Sequence, residues 1–337
     1  MSLLASMAGS EHTVTGLPVP LQDCPAMTGG GHREGFWRRR RRQVAGLVRE
    51  TRSGGVKQAV DEVVAYARPR ITLSKYRWRR AHDVAPNAVP VYVVGLQRSG
   101  TSMLMRGLDA SPAVAVYSEG NTEAFEKFRI RPLPVIRPLI EASGQSHVVF
   151  KPLCDSHRVD ELLDSMGNPS PGRAAWVYRG VDGRVRSSVG LFGANNLKVL
   201  TEIAGGGGRE RWQAGGLSQR SLDLIASFDW DAMTPESASA LFWYVRNSIL
   251  FERGLADRDD VLVFSYDALV RGPERSMRRL CEFLGLEYDP RLIRHIVPKP
   301  PGAPRPRIEI DPRVRELCDQ LGPRLDRAAE TGDLGLS

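Results

Sequence analysis

The sequence predicts an α/β fold in which a central parallel sheet of about five strands is flanked by helices. From residue 91 onwards, short apolar runs rich in β-branched residues alternate with longer helical patterns, which is typical of parallel strands joined by crossover helices. Polar or charged residues follow each run, as expected where the carboxyl end of a strand faces a ligand. The chain has 337 residues and 42% apolar composition, which is enough for one large domain with a full core.

The first part of the chain has a different character. Residues 1–34 mix Gly, Ser, Thr and Pro without periodicity and are predicted to be disordered. Residues 35–88 are predicted to form a basic helical extension, with amphipathic helices at 36–52 and 56–82. The arginine run at 38–42 indicates either contact with an anionic membrane or acidic partner, or a solvated helix face.

The predicted domain spans residues 89–333 and carries all five strands. Its strands are predicted at residues 91–94, 114–117, 148–150, 174–178 and 261–264. A glycine-rich stretch at 205–216 is predicted to be a mobile loop or a lid, and helices are predicted at 236–255 and near 312–330.

Charge and cysteine placement exclude several classes of function. The formal charge is +8, but residues 1–89 carry 15 Lys and Arg against 7 Asp and Glu, whereas residues 90–337 carry 32 of each. The domain is therefore neutral, which argues against nucleic-acid binding over its surface. The four cysteines form no CxxC pair, so neither a zinc site nor a disulfide framework is expected. The sequence shows no apolar run of spanning length and no signal-peptide pattern, and a cytoplasmic location is predicted.

The most informative segment joins the first strand to a helix and reads Arg98, Ser99, Gly100, Thr101, Ser102. Glycine permits a tight loop there, and the backbone N–H groups are expected to converge on one anion at the positive end of the helix dipole. A nucleotide-kinase loop needs Lys directly after its second glycine, but Thr101 stands in that place and Arg98 supplies the cation. The alternative is a simple helix cap, for which Ser99 and Thr101 are also suited.

Two further strand ends carry residues suited to an anionic ligand. Arg179 follows the fourth strand and Ser187 lies eight residues later, so a guanidinium and a hydroxyl can close on one anion. Ser188 is an alternative to Ser187. Lys151 follows the third strand and is placed to stabilise a developing oxyanion. Two anion sites and a lysine are thus predicted to share one crevice.

These motifs resemble those of sulfotransferases that use 3′-phosphoadenosine 5′-phosphosulfate (PAPS). In that family a loop of the form [Lys/Arg]-Ser-Gly-Thr-[Ser/Thr], matched by residues 98–102, holds the 5′-phosphosulfate. A strand-terminal Arg with a Ser eight positions later, matched by Arg179 and Ser187, holds the 3′-phosphate. The resemblance covers roughly residues 90–290 and implies a P-loop-NTPase-like sulfotransferase fold, with PAPS as co-substrate and no metal.

A third match lies near the end of that range. Residues 264–273 are similar to the family's Tyr-Glu-Asp-Leu segment, with Asp267-Ala268 in place of the usual acidic pair, and residues 279–286 are similar to its Phe-Leu-Gly helix. Tyr266 in this segment is predicted to be mainly a core residue that also borders the nucleotide.

The resemblance also implies a general base for the acceptor. Cytosolic small-molecule sulfotransferases carry Lys-Thr-His at a strand end, whereas Lys151 is followed by Pro and Leu. Glu119 lies 21 residues after Arg98, near the end of the second strand, where tyrosylprotein sulfotransferases and related bacterial enzymes place a catalytic Glu. Glu119 is therefore predicted to be the base, with the nearby Glu123 and Glu126 and with His157 as alternatives.

The activity implied by the resemblance is sulfuryl transfer from PAPS to a hydroxyl or amine. Glu119, Lys151 and Arg98 are the implied catalytic residues.

The acceptor is expected to be a small molecule, glycan, lipid or peptide, and Arg129 and Arg131 are either guides for an acidic acceptor or solvated loop residues. Two rival functions stay open: a kinase or NTPase with a degenerate phosphate loop, and an inactive nucleotide-binding scaffold.

Overall fold

The computed structural model describes residues 73–82, 88–164, 171–298 and 306–331. The predicted disordered segment at 1–34 and the arginine run at 38–42 lie outside the described residues. One helix of the predicted basic extension is described, α1 (Leu73–Ala81). It is joined to the domain by Lys75, whose buried ammonium lies 2.6 Å from the carboxylate of Asp109.

The predicted parallel sheet is confirmed. The chain forms seven described strands: β1 (Val89–Gly95), β2 (Val114–Tyr117), β3 (Phe125–Glu126), β4 (Arg129–Ile130), β5 (His147–Phe150), β6 (Arg173–Tyr178) and β7 (Val261–Ser265). Five of them form one parallel sheet in the order β2-β5-β1-β6-β7, while β3 and β4 form a separate antiparallel hairpin. Each of the five predicted apolar runs forms one strand of the large sheet.

Helices flank this sheet, as the sequence predicts. They are α2 (Thr101–Asp109), α3 (Leu133–Glu141), α4 (Val159–Asp164), α5 (Val181–Phe192), α6 (Asn195–Ala204), α7 (Gln219–Ala226), α8 (Pro235–Glu252), α9 (Tyr266–Arg271), α10 (Pro273–Leu284) and α11 (Pro312–Thr331). The helix predicted at 236–255 ends at Glu252, because Gly254 adopts a left-handed conformation that stops it.

Side chains of the central strand alternate between two hydrophobic cores. Val91 and Val93 pack in one core with apolar residues of α2 and α10. Tyr92 and Val94 point the other way and pack with residues of α5, α8 and α11. Because successive residues of a strand face opposite sides, a continuous apolar run is required when both faces are covered.

The connections place a crevice at the carboxyl edge of β1. The helix after β1, α2, packs on one face of the sheet, and the helix after β6, α5, packs on the other. Ligands of open parallel sheets bind where neighbouring crossovers diverge in this way. Among the described helices, none has both the length and the apolar composition needed to cross a bilayer.

Candidate functional site

The loop after β1 has the backbone shape of an anion-binding nest. Arg98 has φ 69° and Gly100 has φ 95°, so two left-handed residues flank Ser99. Gly100 is the N-cap of α2, and its carbonyl accepts a hydrogen bond from the N–H of Leu104. The first N–H groups of the helix therefore have no partner within it and point out of its positive end.

An aromatic ring explains why position 100 must be glycine. A Cβ atom at Gly100 would lie 2.2 Å from Cδ2 of Tyr266. Tyr266 is 9% exposed and follows β7, where Ser265 caps α9 by accepting the N–H of Ala268. The guanidinium carbon of Arg179 lies 4.6 Å from the centre of the same ring. The ring of Tyr266 thus contacts both predicted anion sites.

A direct hydrogen bond connects the two predicted anion sites. The Nε atom of Arg98 donates to Oγ of Ser187 over 2.9 Å. Ser188 faces the other way: it is fully buried, and its Oγ accepts from Nδ2 of Asn196. Of the two adjacent serines, Ser187 is therefore the one that faces the loop.

Strand register brings Lys151 and Glu119 together. Tyr117 of β2 lies beside Phe150 of β5, and the carbonyl of Tyr117 accepts the N–H of Lys151. The ammonium of Lys151 lies 3.1 Å from Oε2 of Glu119 and 3.4 Å from Oγ of Ser102. The two side chains are 9% and 12% exposed. A buried ammonium thus contacts both the predicted base and the loop at 98–102.

The turn that carries Glu119 is held by Asn121. The side-chain oxygen of this buried residue accepts the backbone N–H groups of Glu123 and Ala124. The backbone N–H of Asn121 donates to the carbonyl of Ser118. Asparagine commonly organises turns through such local bonds. This turn fixes the backbone on either side of the predicted base.

Two buried polar atoms of the site lack a protein partner. Oγ of Ser99, a fully buried residue, and Nε of Arg179 have no hydrogen-bond partner among the described residues. An unsatisfied buried donor is costly, about 1–3 kcal/mol, and its presence requires an explanation. A hydroxyl and a guanidinium suit a phosphate or sulfate oxygen, so the residues present fit an anionic co-substrate.

The alternative residues occupy different surroundings. Glu123 and Glu126 are exposed, and Glu126 pairs loosely with Arg131 at 3.6 Å. Arg129 lies 2.7 Å from the carboxylate of Asp155. Both arginines that were candidate guides for an acidic acceptor are therefore in contact with carboxylates of the protein.

His157 is a buried residue, in contrast to the polar surface loop that its sequence suggests. Cβ atoms at Gly215 and Gly216 would lie 2.8 Å and 2.4 Å from its side chain. Burial, with the nearby Arg246 and three further arginines, lowers the pKa of His157 to about 3. The imidazole is therefore neutral at ordinary pH. The end of the predicted mobile stretch is packed against this ring.

Several supporting residues carry no signal in the sequence. Asp155 is fully buried and accepts the N–H of Ile130, which joins the β3–β4 hairpin to the short helix Leu153–Arg158. Asp267 accepts the N–H of Gly180 and joins the end of β6 to α9. A single Asp in a loop is compatible with either a surface position or a buried contact, so only the fold identifies these roles.

Comparisons with solved structures find sulfotransferases. A sulfotransferase from Alicyclobacillus acidocaldarius is 16% identical, with 72% of this chain and 94% of that chain covered and a TM-score of 0.39. The sulfotransferase domain of the Synechococcus PCC 7002 olefin synthase is 15% identical, with coverage of 76% and 98% and a TM-score of 0.37. A mouse sulfotransferase complexed with PAP is 11% identical, with coverage of 67% and 68% and a TM-score of 0.32. No protein-family model and no curated protein matches the sequence.

Proposed function

We propose that this protein is a sulfotransferase that moves a sulfuryl group from PAPS to a hydroxyl or amine and releases adenosine 3′,5′-bisphosphate. The observation that carries the proposal is the position of Lys151, whose buried ammonium contacts both Glu119 and Ser102 of the phosphate loop. Group transfer needs a base beside the acceptor and a positive charge beside the donor. An ammonium that contacts both a carboxylate and an anion-binding loop brings these two requirements together.

The donor would be held at both ends. The loop amides and Ser99 would bind the phosphosulfate end, and Arg179 with Ser187 would bind the 3′-phosphate. The unpartnered Oγ of Ser99 and Nε of Arg179 support this assignment, because each is a buried donor that an anion would satisfy. Tyr266 contacts both groups of residues and would hold them at a fixed distance from each other. Remote phosphate binding would then align the sulfur for attack.

The chemical step balances with the residues of the site. The acceptor oxygen or nitrogen bonds to sulfur, and the bond between sulfur and the bridging oxygen of the 5′-phosphate breaks. That oxygen keeps the electron pair, and the ammonium of Lys151 stabilises its charge. Glu119 takes the acceptor proton. The acceptor is proposed to be a small molecule, glycan, lipid or peptide, and the step needs no metal.

Calorimetry tests the donor assignment. With EDTA present, we expect the protein to bind adenosine 3′,5′-bisphosphate, and Arg179→Ala to weaken binding by at least about tenfold, because a buried charge-assisted hydrogen bond is lost. Binding of magnesium-ATP without binding of the bisphosphate would indicate a kinase or NTPase and would overturn the proposal.

Transfer itself is tested with labelled PAPS and a panel of phenols, sugars, lipids and metabolite extracts. We expect label on at least one acceptor class from the wild-type protein and none from a heat-inactivated sample. Bisphosphate binding without label on any acceptor would favour an inactive nucleotide-binding scaffold.

A further inference from the structure

Arg184 is a fully buried arginine directly behind the phosphate loop. It lies on α5, three residues before Ser187, and is 1% exposed. One terminal nitrogen donates to the backbone carbonyl and to Oγ of Ser239, both over 2.8 Å. Its Nε donates over 3.4 Å to the carbonyl of Gln97, the residue that precedes Arg98. The guanidinium therefore touches the backbone of the loop from its buried side.

The charge of Arg184 has no carboxylate partner among the residues that the structure describes. Its contacts are two carbonyls, one hydroxyl and the ring of Phe242, whose centre lies 5.5 Å away. Burial, and then the charge of Arg98, lower its pKa to about 9, so it stays cationic at neutral pH. Burying a charge without an opposite charge beside it costs roughly several kcal/mol of folding free energy, so buried charges are normally paired.

Three other buried charges near this sheet are paired with an opposite charge. Lys75 lies 2.6 Å from Asp109, Asp155 lies 2.7 Å from Arg129, and Lys151 lies 3.1 Å from Glu119. Arg246 is likewise buried and has no carboxylate partner among the described residues, but it donates to backbone carbonyls at residues 212, 213 and 215, away from the loop. Arg184 differs from all of these, since it is a buried cation without a carboxylate that lies against an anion-binding loop.

We propose that Arg184 is a positioning residue whose buried charge attracts and orients the anionic end of the bound nucleotide through the loop. This proposal rests on the proposed function, because it assumes a polyanionic donor at residues 98–102. In a low-dielectric interior the attraction between charges reaches further than in water, so a cation behind the loop strengthens binding without contacting the ligand.

A purely structural role does not require the charge of Arg184. Cross-linking α5 to α8 through Ser239 and to the loop through Gln97 needs only neutral donors, because all three acceptors are uncharged oxygens. A glutamine amide could make part of that network without the cost of burying a charge. These hydrogen bonds therefore do not explain why the residue at position 184 is charged.

The test compares two variants that separate charge from hydrogen bonding. Arg184→Gln removes the charge and keeps a donor, whereas Arg184→Lys keeps the charge and loses the planar fork. Calorimetry with adenosine 3′,5′-bisphosphate in EDTA should show about a tenfold rise in Kd for Arg184→Gln and less than about a threefold rise for Arg184→Lys. The loss in Arg184→Gln should be smaller for adenosine 3′-monophosphate, which lacks the 5′-phosphate that the loop would hold.

Two controls report on folding. Ser239→Ala removes one acceptor of Arg184 and leaves the charge, and Arg246→Gln removes a buried arginine that lies away from the loop. Both are expected to lower the Tm while the bisphosphate Kd stays within about twofold of wild type. If Arg184→Gln and Arg184→Lys lose the same affinity for the bisphosphate, or if Arg184→Gln loses the same affinity for both ligands, the role is structural and the proposal is overturned.

The two hypotheses fail in different ways. If the wild-type protein does not bind the bisphosphate, the proposed function fails. If the wild-type protein binds it and Arg184→Gln binds it equally well, only the role of Arg184 fails. If Arg184→Gln does not fold, the affinity of Arg184→Lys decides, since a loss of tenfold with charge retained contradicts the proposal.

Discussion

Two regions beside the sheet are built in different ways. The donor region consists of the loop at 98–102 with Arg179, Ser187 and Tyr266, and each of its parts directly follows a strand or lies in the next helix. The hairpin region consists of the β3–β4 hairpin, the helix Leu153–Arg158 and residues 212–217. It is held by contacts between distant segments, such as Asp155 with the N–H of Ile130.

This difference decides what a short motif can specify. A loop that ends a parallel strand is placed by the sheet itself, so a few residues determine an anion site. The hairpin region depends on side chains that meet only after folding, for example His157 beneath Gly215 and Gly216. The donor motifs are therefore readable from local sequence, whereas the arrangement of the hairpin region is not.

Glu119 lies 3.1 Å from Lys151, which contacts the donor loop at Ser102, and its removal should give the largest effect. We expect Glu119→Gln to lower turnover by about 10²-fold or more, because the acceptor proton loses its base. The shape of the side chain is kept, so bisphosphate affinity should change little. Labelled PAPS with the first acceptor found in the panel gives the rate, and calorimetry gives the affinity.

Glu123→Gln is the matched control, since Glu123 is a nearby carboxylate that is exposed. Its turnover should stay within about twofold of wild type. Near-normal turnover in Glu119→Gln would move the assignment of the base to Glu123 or His157.

Adding one methyl group at Gly100 should disrupt the donor region and weaken bisphosphate binding. Gly100→Ala places a Cβ 2.2 Å from the ring of Tyr266 at a residue with φ 95°. Left-handed strain of roughly 1–2 kcal/mol and the displaced ring should together raise the bisphosphate Kd by at least about tenfold.

Gly190→Ala is the matched control for Gly100→Ala. Gly190 lies on α5, and a Cβ there would meet no atom within 4 Å. Its bisphosphate Kd should be that of wild type, while its Tm stays equal or rises because alanine favours helix. Unchanged affinity in Gly100→Ala would show that the conformation of the loop does not depend on this glycine.

The sheet was predictable because its signal is local. All five apolar runs became strands, with bounds that moved by at most two residues, because a strand covered on both faces needs a continuous apolar sequence. The convergence of the loop, Lys151 and the Arg179 strand end followed from the same topology, since carboxyl ends of parallel strands share one edge. The hydrogen bond from Arg98 to Ser187 refines this picture, because it links two groups that were assigned to separate phosphates.

Burial of polar residues was not predictable. His157 stands between Ser156 and Arg158, a composition typical of a surface loop, yet the chain returns at residues 215–216 and covers it. Arg184 lies in a helix with charged neighbours and is nevertheless enclosed by α8 and the loop. Their environments are set by segments more than 50 residues away, and local patterns do not carry that information.

The smallest effect on donor binding should come from the hairpin region. Gly216 has φ 74°, and a Cβ there would lie 2.4 Å from Cβ of His157, which cannot move without the backbone. Gly206 has a similar φ of 82°, but a Cβ there would meet no atom within 4 Å. Both alanine variants incur the left-handed penalty of roughly 1–2 kcal/mol, and only Gly216→Ala adds overpacking of roughly 1–3 kcal/mol.

Chemical denaturation should therefore rank Gly216→Ala below Gly206→Ala in stability, while calorimetry finds the bisphosphate Kd of both within about twofold of wild type. Because the segment at 212–217 packs on His157 and Arg246, and the described contacts of the donor loop do not include it, strain there should stay local. A tenfold loss of bisphosphate affinity in Gly216→Ala alone would show that the two regions are mechanically coupled. The separation between a motif-encoded donor region and a hairpin region assembled by tertiary contacts would then be wrong.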